Sequence, residues 1–217
     1  ELTGKFRSLH ESQGGLITMG LSPHTPYTLS EDRLKMLSGL LRKESLPYTM
    51  HVAESREEQE YFLEHSGGIK SRLFPAVGWQ DQPDPKEAVS PLLYLDRLGL
   101  VTDRLLIAHG VHLSPGDMDR IRKAGAKVVV CARSNQMLGV GRPPVPALIQ
   151  KKIPVGLGTD SLASNTTLSL WDEMRHVYDS FKDSSSITAD SVLRMATLGG
   201  AEGLGLASEI GSIEAGK

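Results

Sequence analysis

Cysteine is all but missing. Cys131 stands alone in 217 residues, which excludes an internal disulfide and favours a reducing compartment, with the cytoplasm as the default expectation. A charge excess of either sign is missing too: 24 Lys and Arg face 26 Asp and Glu, a formal net charge of -2 with no long single-sign run. Neither nucleic acid nor an anionic membrane is therefore implied as a partner. No stretch approaches the roughly 18 apolar residues of a membrane span, and residues 1–5 lack the charged-then-apolar order of a signal peptide. The chain does not open on Met, which leaves room for processing or trimming. These absences leave a single domain with a small-molecule partner, although closed α/β barrels commonly need about 250 residues.

What is present is a rhythm. Five short apolar runs lead into polar residues: 16–21 before His24, 48–50 into His51, 105–108 into His109, 128–131 before Asn135 and 153–157 before Asp160. All five read as buried strands. Helices follow, each announced at its start by Ser30 with Glu31 and Asp32, by Ser55 with Glu58, or by Ser114-Pro115 with Asp117. The strand-end polar residues recur at intervals of 27, 58, 26 and 25 residues, so one βα length repeats and the long interval holds an insertion at 67–91. That insertion carries Gly67-Gly68 and four prolines and reads as a loop excursion.

Alternating strands and helices predict an α/β fold with a parallel sheet, whose ligand site lies at the carboxyl ends of the strands. A five-stranded flavodoxin-like sheet would be complete at this length. A partial TIM (β/α)8 barrel of about five βα units is the better expectation, because chemically similar groups end nearly every strand, as they do where all ends converge on one mouth. Both chain ends also read as cut: an amphipathic helix at 2–13 has no strand before it, and 211–217 stops on a turn.

Taken alone, a strand-end histidine such as His51 is more often structural than metal-binding. Its neighbours alter that reading. His51-Val52-Ala53-Glu54 sets an imidazole and a carboxylate at the top of one strand, and His109 and Asp160 end two later ones. Two histidines and an aspartate from separate strands offer the donors that suit zinc or ferrous iron, and a metal with an open position lowers the pKa of its water towards about 7. Glu54 would then carry protons between water and leaving group. The plain alternative makes Glu54 a first-turn helix acid beside Ser55, which leaves its spacing from His51 without a reason.

Five segments in order, Ser22-Pro23-His24-Thr25-Pro26-Tyr27-Thr28, His51-Val52-Ala53-Glu54, Ala108-His109-Gly110-Val111, Cys131-Ala132-Arg133-Ser134-Asn135 and Gly158-Thr159-Asp160-Ser161-Leu162-Ala163-Ser164-Asn165, resemble those of the amidohydrolase superfamily. The nearest branch resembles the S-adenosylhomocysteine, methylthioadenosine and aminofutalosine deaminases, with triazine chlorohydrolases and guanine deaminases as relatives. The resemblance implies strands 4 to 8 of a metallo-dependent hydrolase barrel over 1–205, and over 206–217 the start of a return into a β-sandwich. It implies one divalent metal, zinc or iron, on His51 and Asp160, with Asp160 also taking a proton from the attacking water. Glu54 resembles the residue that holds a substrate ring nitrogen and shuttles protons, His109 one that hydrogen-bonds the nucleophile, and His24 a substrate contact, unless His24 between Pro23 and Thr25 only rigidifies its turn. Asn135 and Ser134 are expected to order their loop, and Ser164 and Asn165 either to do the same or to cap the next helix.

Two departures carry information. Ala132 or Arg133 stands where the family usually has a proline, so Arg133 is an extra cation near the mouth or a solvent-facing substitution. The family's first-strand His-x-His pair is absent from these 217 residues, and His109 with His112 is one residue too widely spaced. The expected activity is hydrolytic deamination of an aminated purine nucleoside or related heterocycle, with little turnover from this chain by itself. The alternatives are a chlorohydrolase or guanine deaminase of the same superfamily, or a noncatalytic βα scaffold. Unpaired strand edges would favour a homo-oligomer or cover by the N-terminal helix. Phe74, Trp79 and the segment 163–171 are expected as pocket walls.

Overall fold

The computed structural model describes residues 19–79, 85 and 87–217. Four parallel strands, β1 (Tyr48–Val52), β2 (Leu105–His109), β3 (Lys127–Val130) and β4 (Val155–Leu157), form one sheet in sequence order. Met50, Ile107, Val128 and Val155 lie in one row across it, and all four are buried. His51, Ala108, Val129 and Gly156 form the next row, on the opposite face. The first expected strand contributes a single parallel bridge, Leu21 to Tyr48. Beyond it the chain stays alongside β1, where the His51 N–H donates to His24 O at 3.0 Å. Residues 16–18 of that run and the helix expected at 2–13 lie outside the described residues.

Helices separate the strands as the pattern predicts. In order they are α1 (Glu31–Glu44), α2 (Arg56–Glu64), α3 (Phe74–Val77), α4 (Pro91–Arg97), α5 (Pro115–Ala124), α6 (Ala132–Leu138), α7 (Val145–Gln150), α8 (Leu170–Phe181), α9 (Ala189–Ala196) and α10 (Leu198–Leu204). Ser30, Ser55 and Ser114 are N-caps of α1, α2 and α5, and the Ser114–Asp117 pair closes a full capping box. Leu34 and Leu41 of α1, Phe62 of α2, Leu92 and Leu95 of α4, and Ile121 of α5 are buried with the strand residues in one core. Among the described residues no helix is long and apolar enough to cross a membrane.

Among its described residues, the insertion holds helical structure where a loop was expected. Residues Ile69–Leu73 form a π-helical turn that runs into α3, and Phe74 packs edge-on against Tyr61 at 5.3 Å between ring centroids. Phe74 is 1% exposed, so it belongs to the core and corrects the expectation of a pocket wall. Trp79 leans on it at 6.1 Å.

Helix α10 approaches β4 more closely than any side chain would permit. A Cβ on Gly199 would stand 2.2 Å from Val155 O, and one on Gly156 only 3.2 Å from Gly200 Cα. Gly199→Ala is therefore expected to destabilise the chain by about 1–3 kcal/mol, as overpacked cores do. Gly39 lies inside α1 with nothing within 4 Å of its would-be Cβ, so Gly39→Ala should stabilise by about 0.5–1 kcal/mol. Urea titration of the pair checks both, and a stable Gly199→Ala would refute the close contact.

Candidate active site

The polar strand ends depart from ordinary strand geometry in a shared way. Ala53, His109 and Asp160, at or just beyond the ends of β1, β2 and β4, have φ of 56°, 67° and 57°. Non-glycine residues rarely take this left-handed conformation, and it persists where surrounding structure enforces it.

Three imidazoles gather there. The His51 ring lies 5.2 Å from that of His109, stacked at 24°, and 5.3 Å from that of His24, edge-on at 64°. His51 Nδ1–H donates to His24 O at 3.0 Å, which leaves Nε2 as the ring atom that a metal would take. Burial lowers the pKa of His24, and repulsion from His51 lowers it further. His109 is 1% exposed. Its Nδ1–H donates to Asn135 Oδ1 at 2.8 Å, so its Nε2 faces Glu54 Oε1 across 3.6 Å. That separation exceeds a hydrogen bond.

Glu54 precedes the α2 cap Ser55, so it is not a first-turn helix acid. Its backbone is held from below by Glu58, whose Oε1 and Oε2 accept the N–H groups of Ala53 at 3.0 Å and Glu54 at 2.9 Å. This two-pronged grip enforces the turn at Ala53. Burial pushes the Glu58 carboxyl up to about 8, against the N–H groups that would lower it. The folded chain thus holds this proton more tightly than the unfolded chain does. Its contribution to stability is full below the ordinary 4.5, falls as pH rises, and is lost by about 8. The loss is expected to be several kcal/mol at most, at about 1.4 kcal/mol per unit. Urea midpoints measured across that window should fall with pH for the unaltered chain and much less for Glu58→Gln; equal slopes would refute the assignment.

Asp160 is held from three sides. Ser134 Oγ and Ser164 Oγ both donate to its Oδ2 at 2.7 Å, and the Ser161 N–H donates to Oδ1 at 2.8 Å. Burial would raise this carboxyl, but the two hydroxyls, the Ser161 N–H and the nearby His109 ring outweigh it and hold the pKa below its ordinary value. Asp160 is an anion at neutral pH. Burial and the nearby Asp160 push the Cys131 thiol up to about 12, so it is no nucleophile.

Sequence reasoning undervalued four residues. Ser134 and Asn135, expected to order a loop, occupy the first turn of α6 and bond Asp160 and His109 directly. Ser164 also reaches Asp160, and Asn165 Nδ2 ties Thr159 O at 2.7 Å. The only signal was the Ser-Asn dipeptide just past a strand. Arg133 is tied down: it donates to Thr166 Oγ1 at 2.7 Å and lies 3.6 Å from Asp172 Oδ2. Leu168 and Trp171 of the expected wall segment are well exposed. Among the described residues no three His, Cys, Asp or Glu side chains come close enough together to hold a metal ion. His51 and Asp160 carry an imidazole nitrogen and a carboxylate, donor types that zinc or iron takes.

The family model described as "Amidohydrolase family" matches residues 2–217. The aminodeoxyfutalosine deaminase of Deinococcus radiodurans is 37% identical over 167 residues, covering 73% of this chain and 39% of that protein. A 5-methylthioadenosine/S-adenosylhomocysteine deaminase of Pyrococcus abyssi is 35% identical over 190 residues, covering 86% of this chain and 40% of that protein. Among solved structures, an adenosine deaminase from Xanthomonas campestris with bound zinc superposes with a TM-score of 0.81 at 30% identity, over 99% of this chain and 46% of that one. The chain thus spans about 40% of the length of these curated relatives.

Proposed function

Since the chain belongs to the amidohydrolase family, we propose that it carries strands 4 to 8 of a deaminase barrel acting on an aminated purine nucleoside. Residues 206–217 then begin the return towards a second, β-sandwich unit. The relatives named for deaminating 5-methylthioadenosine, S-adenosylhomocysteine and aminodeoxyfutalosine support that substrate class. The observation that carries the reading is the pairing of His109 Nε2 with Glu54 Oε1 at 3.6 Å, beside an Asp160 kept anionic by two hydroxyls.

His51 Nε2 and Asp160 would hold one divalent metal, zinc or iron, which when bound supplies a Lewis acid that lowers the pKa of water. Glu54 holds a ring nitrogen of the substrate and moves the proton that it needs. His109, fixed by Asn135, accepts a hydrogen bond from the attacking oxygen on Nε2 and so aims it. Asp160 takes the proton released by that oxygen, and His24 borders the substrate. In the overall step water adds to the amino-bearing ring carbon, the carbon–nitrogen bond breaks, and the amine leaves as ammonia.

His51 and Asp160 are too few to hold zinc tightly, since metal affinity depends on the full set of ligands. The 217 residues alone are expected to bind it weakly and to turn over slowly. Zinc stoichiometry and ammonia release from 5-methylthioadenosine, S-adenosylhomocysteine and adenosine, measured on this chain and on the full-length polypeptide, test both statements. A zinc-loaded full-length polypeptide that deaminates none of them would overturn the substrate class, and rapid turnover by the 217 residues would overturn the dependence on further ligands.

A further inference from the structure

The helix that holds two site residues begins without a cap of its own. Cys131 is the N-cap of α6, and its side chain accepts no hydrogen bond, although the first N–H groups of a helix need acceptors from outside it. The acceptor comes from α8. Glu173, with no exposed surface, takes the Arg133 N–H on Oε2 at 3.2 Å, and the Ala132 N–H also bears on it. Its other oxygen, Oε1, accepts from Asn165 Nδ2 at 2.8 Å. The same amide donates to Thr159 O at 2.7 Å, one residue before Asp160.

One buried carboxylate therefore joins the start of α6 to the peptide that aims Asp160. Packing alone does not call for a carboxylate there, because burying a charge is costly and an apolar side chain of similar size would avoid that cost. An amide would not serve either: both oxygens face donors, so glutamine would turn an NH2 group against one of them. Burial raises the pKa of this carboxyl against the N–H groups and Asn165 that lower it, and its two acceptor oxygens make sense as an anchor. Ser134 and Asn135 follow in the next two positions of α6, and their bonds to Asp160 and His109 depend on where that helix starts.

We propose that Glu173 is a positioning residue for the site, setting α6 so that Asn135 holds His109 in the Nδ1–H tautomer while Ser134 holds Asp160. This does not rest on the deaminase reading, because it concerns the geometry of the chain and not its reaction. The test labels histidine with nitrogen-15 and reads the tautomer of His109 from two-bond proton–nitrogen spectra at about pH 8, where free imidazole is neutral. His109→Gln assigns the signal. In the unaltered chain His109 is expected as the pure Nδ1–H form. In Glu173→Gln, which keeps the shape, and in Glu173→Met, which keeps the volume without the charge, the signal should shift to an average of both tautomers. Val177→Ala, which truncates a buried residue one turn along α8, should lower Tm and leave the tautomer unchanged. A pure Nδ1–H signal in folded Glu173→Gln or Glu173→Met would overturn the proposal, as would an equal shift in Val177→Ala.

Discussion

Asp160→Asn is expected to lose metal and activity together. In the full-length polypeptide, zinc affinity should fall by at least about 10- to 100-fold, the scale on which even the groups supporting a ligand matter, and turnover by about 100- to 10,000-fold. Asparagine tolerates the left-handed backbone that this position adopts, at φ 57°, so the effect reports the lost charge and not a broken turn. The electrostatic reason lies in the surroundings. Ser134, Ser164 and the Ser161 N–H are all donors aimed at an anion, and an amide would turn an NH2 group against one of them. Zinc titration and ammonia release on the same preparation check the expectation; an Asp160→Asn polypeptide with normal zinc content and normal turnover would remove Asp160 from the site.

Glu54→Gln should separate the two properties. Turnover is again expected to fall by about 100- to 10,000-fold, because glutamine cannot exchange a proton at the substrate ring. Zinc content should stay near that of the unaltered polypeptide, since Glu54 faces His109 Nε2 and is assigned no metal. The backbone at this position is held by Glu58 through the Ala53 and Glu54 N–H groups, independently of the Glu54 side chain. The substitution is thus expected to fold normally, with an unchanged Tm. Lost zinc with retained turnover would reverse the roles proposed for Glu54 and Asp160.

Much of the fold was legible because its signals are local. The serines that start α1, α2 and α5 accept from N–H groups three residues on, and such a cap depends on nothing beyond its own turn. The strand runs were legible for a similar reason, since apolar residues that end at one polar group mark burial followed by a rim. Less local features escaped. The first run pairs through Leu21 alone, and Phe74 turned into the core because Tyr61 lies where it can pack against it. No spacing in the sequence marks either contact.

The sequence by itself determined the kind of chemistry: which strands end in imidazole and which in carboxylate, in what order, and in a pattern that resembles one family. The tertiary structure decided how those groups are aimed. Whether His109 presents Nε2 depends on Asn135, 26 positions away, and whether Asp160 is held from α6 depends on Ser134, also 26 positions away. Both depend on where α6 begins, and the acceptor at that point is Glu173, 40 positions from Arg133. Capping, periodicity and composition act within a turn or two of chain, whereas the tautomer of a buried ring and the charge of a buried acid are set by partners that only the folded sheet brings within about 3 Å.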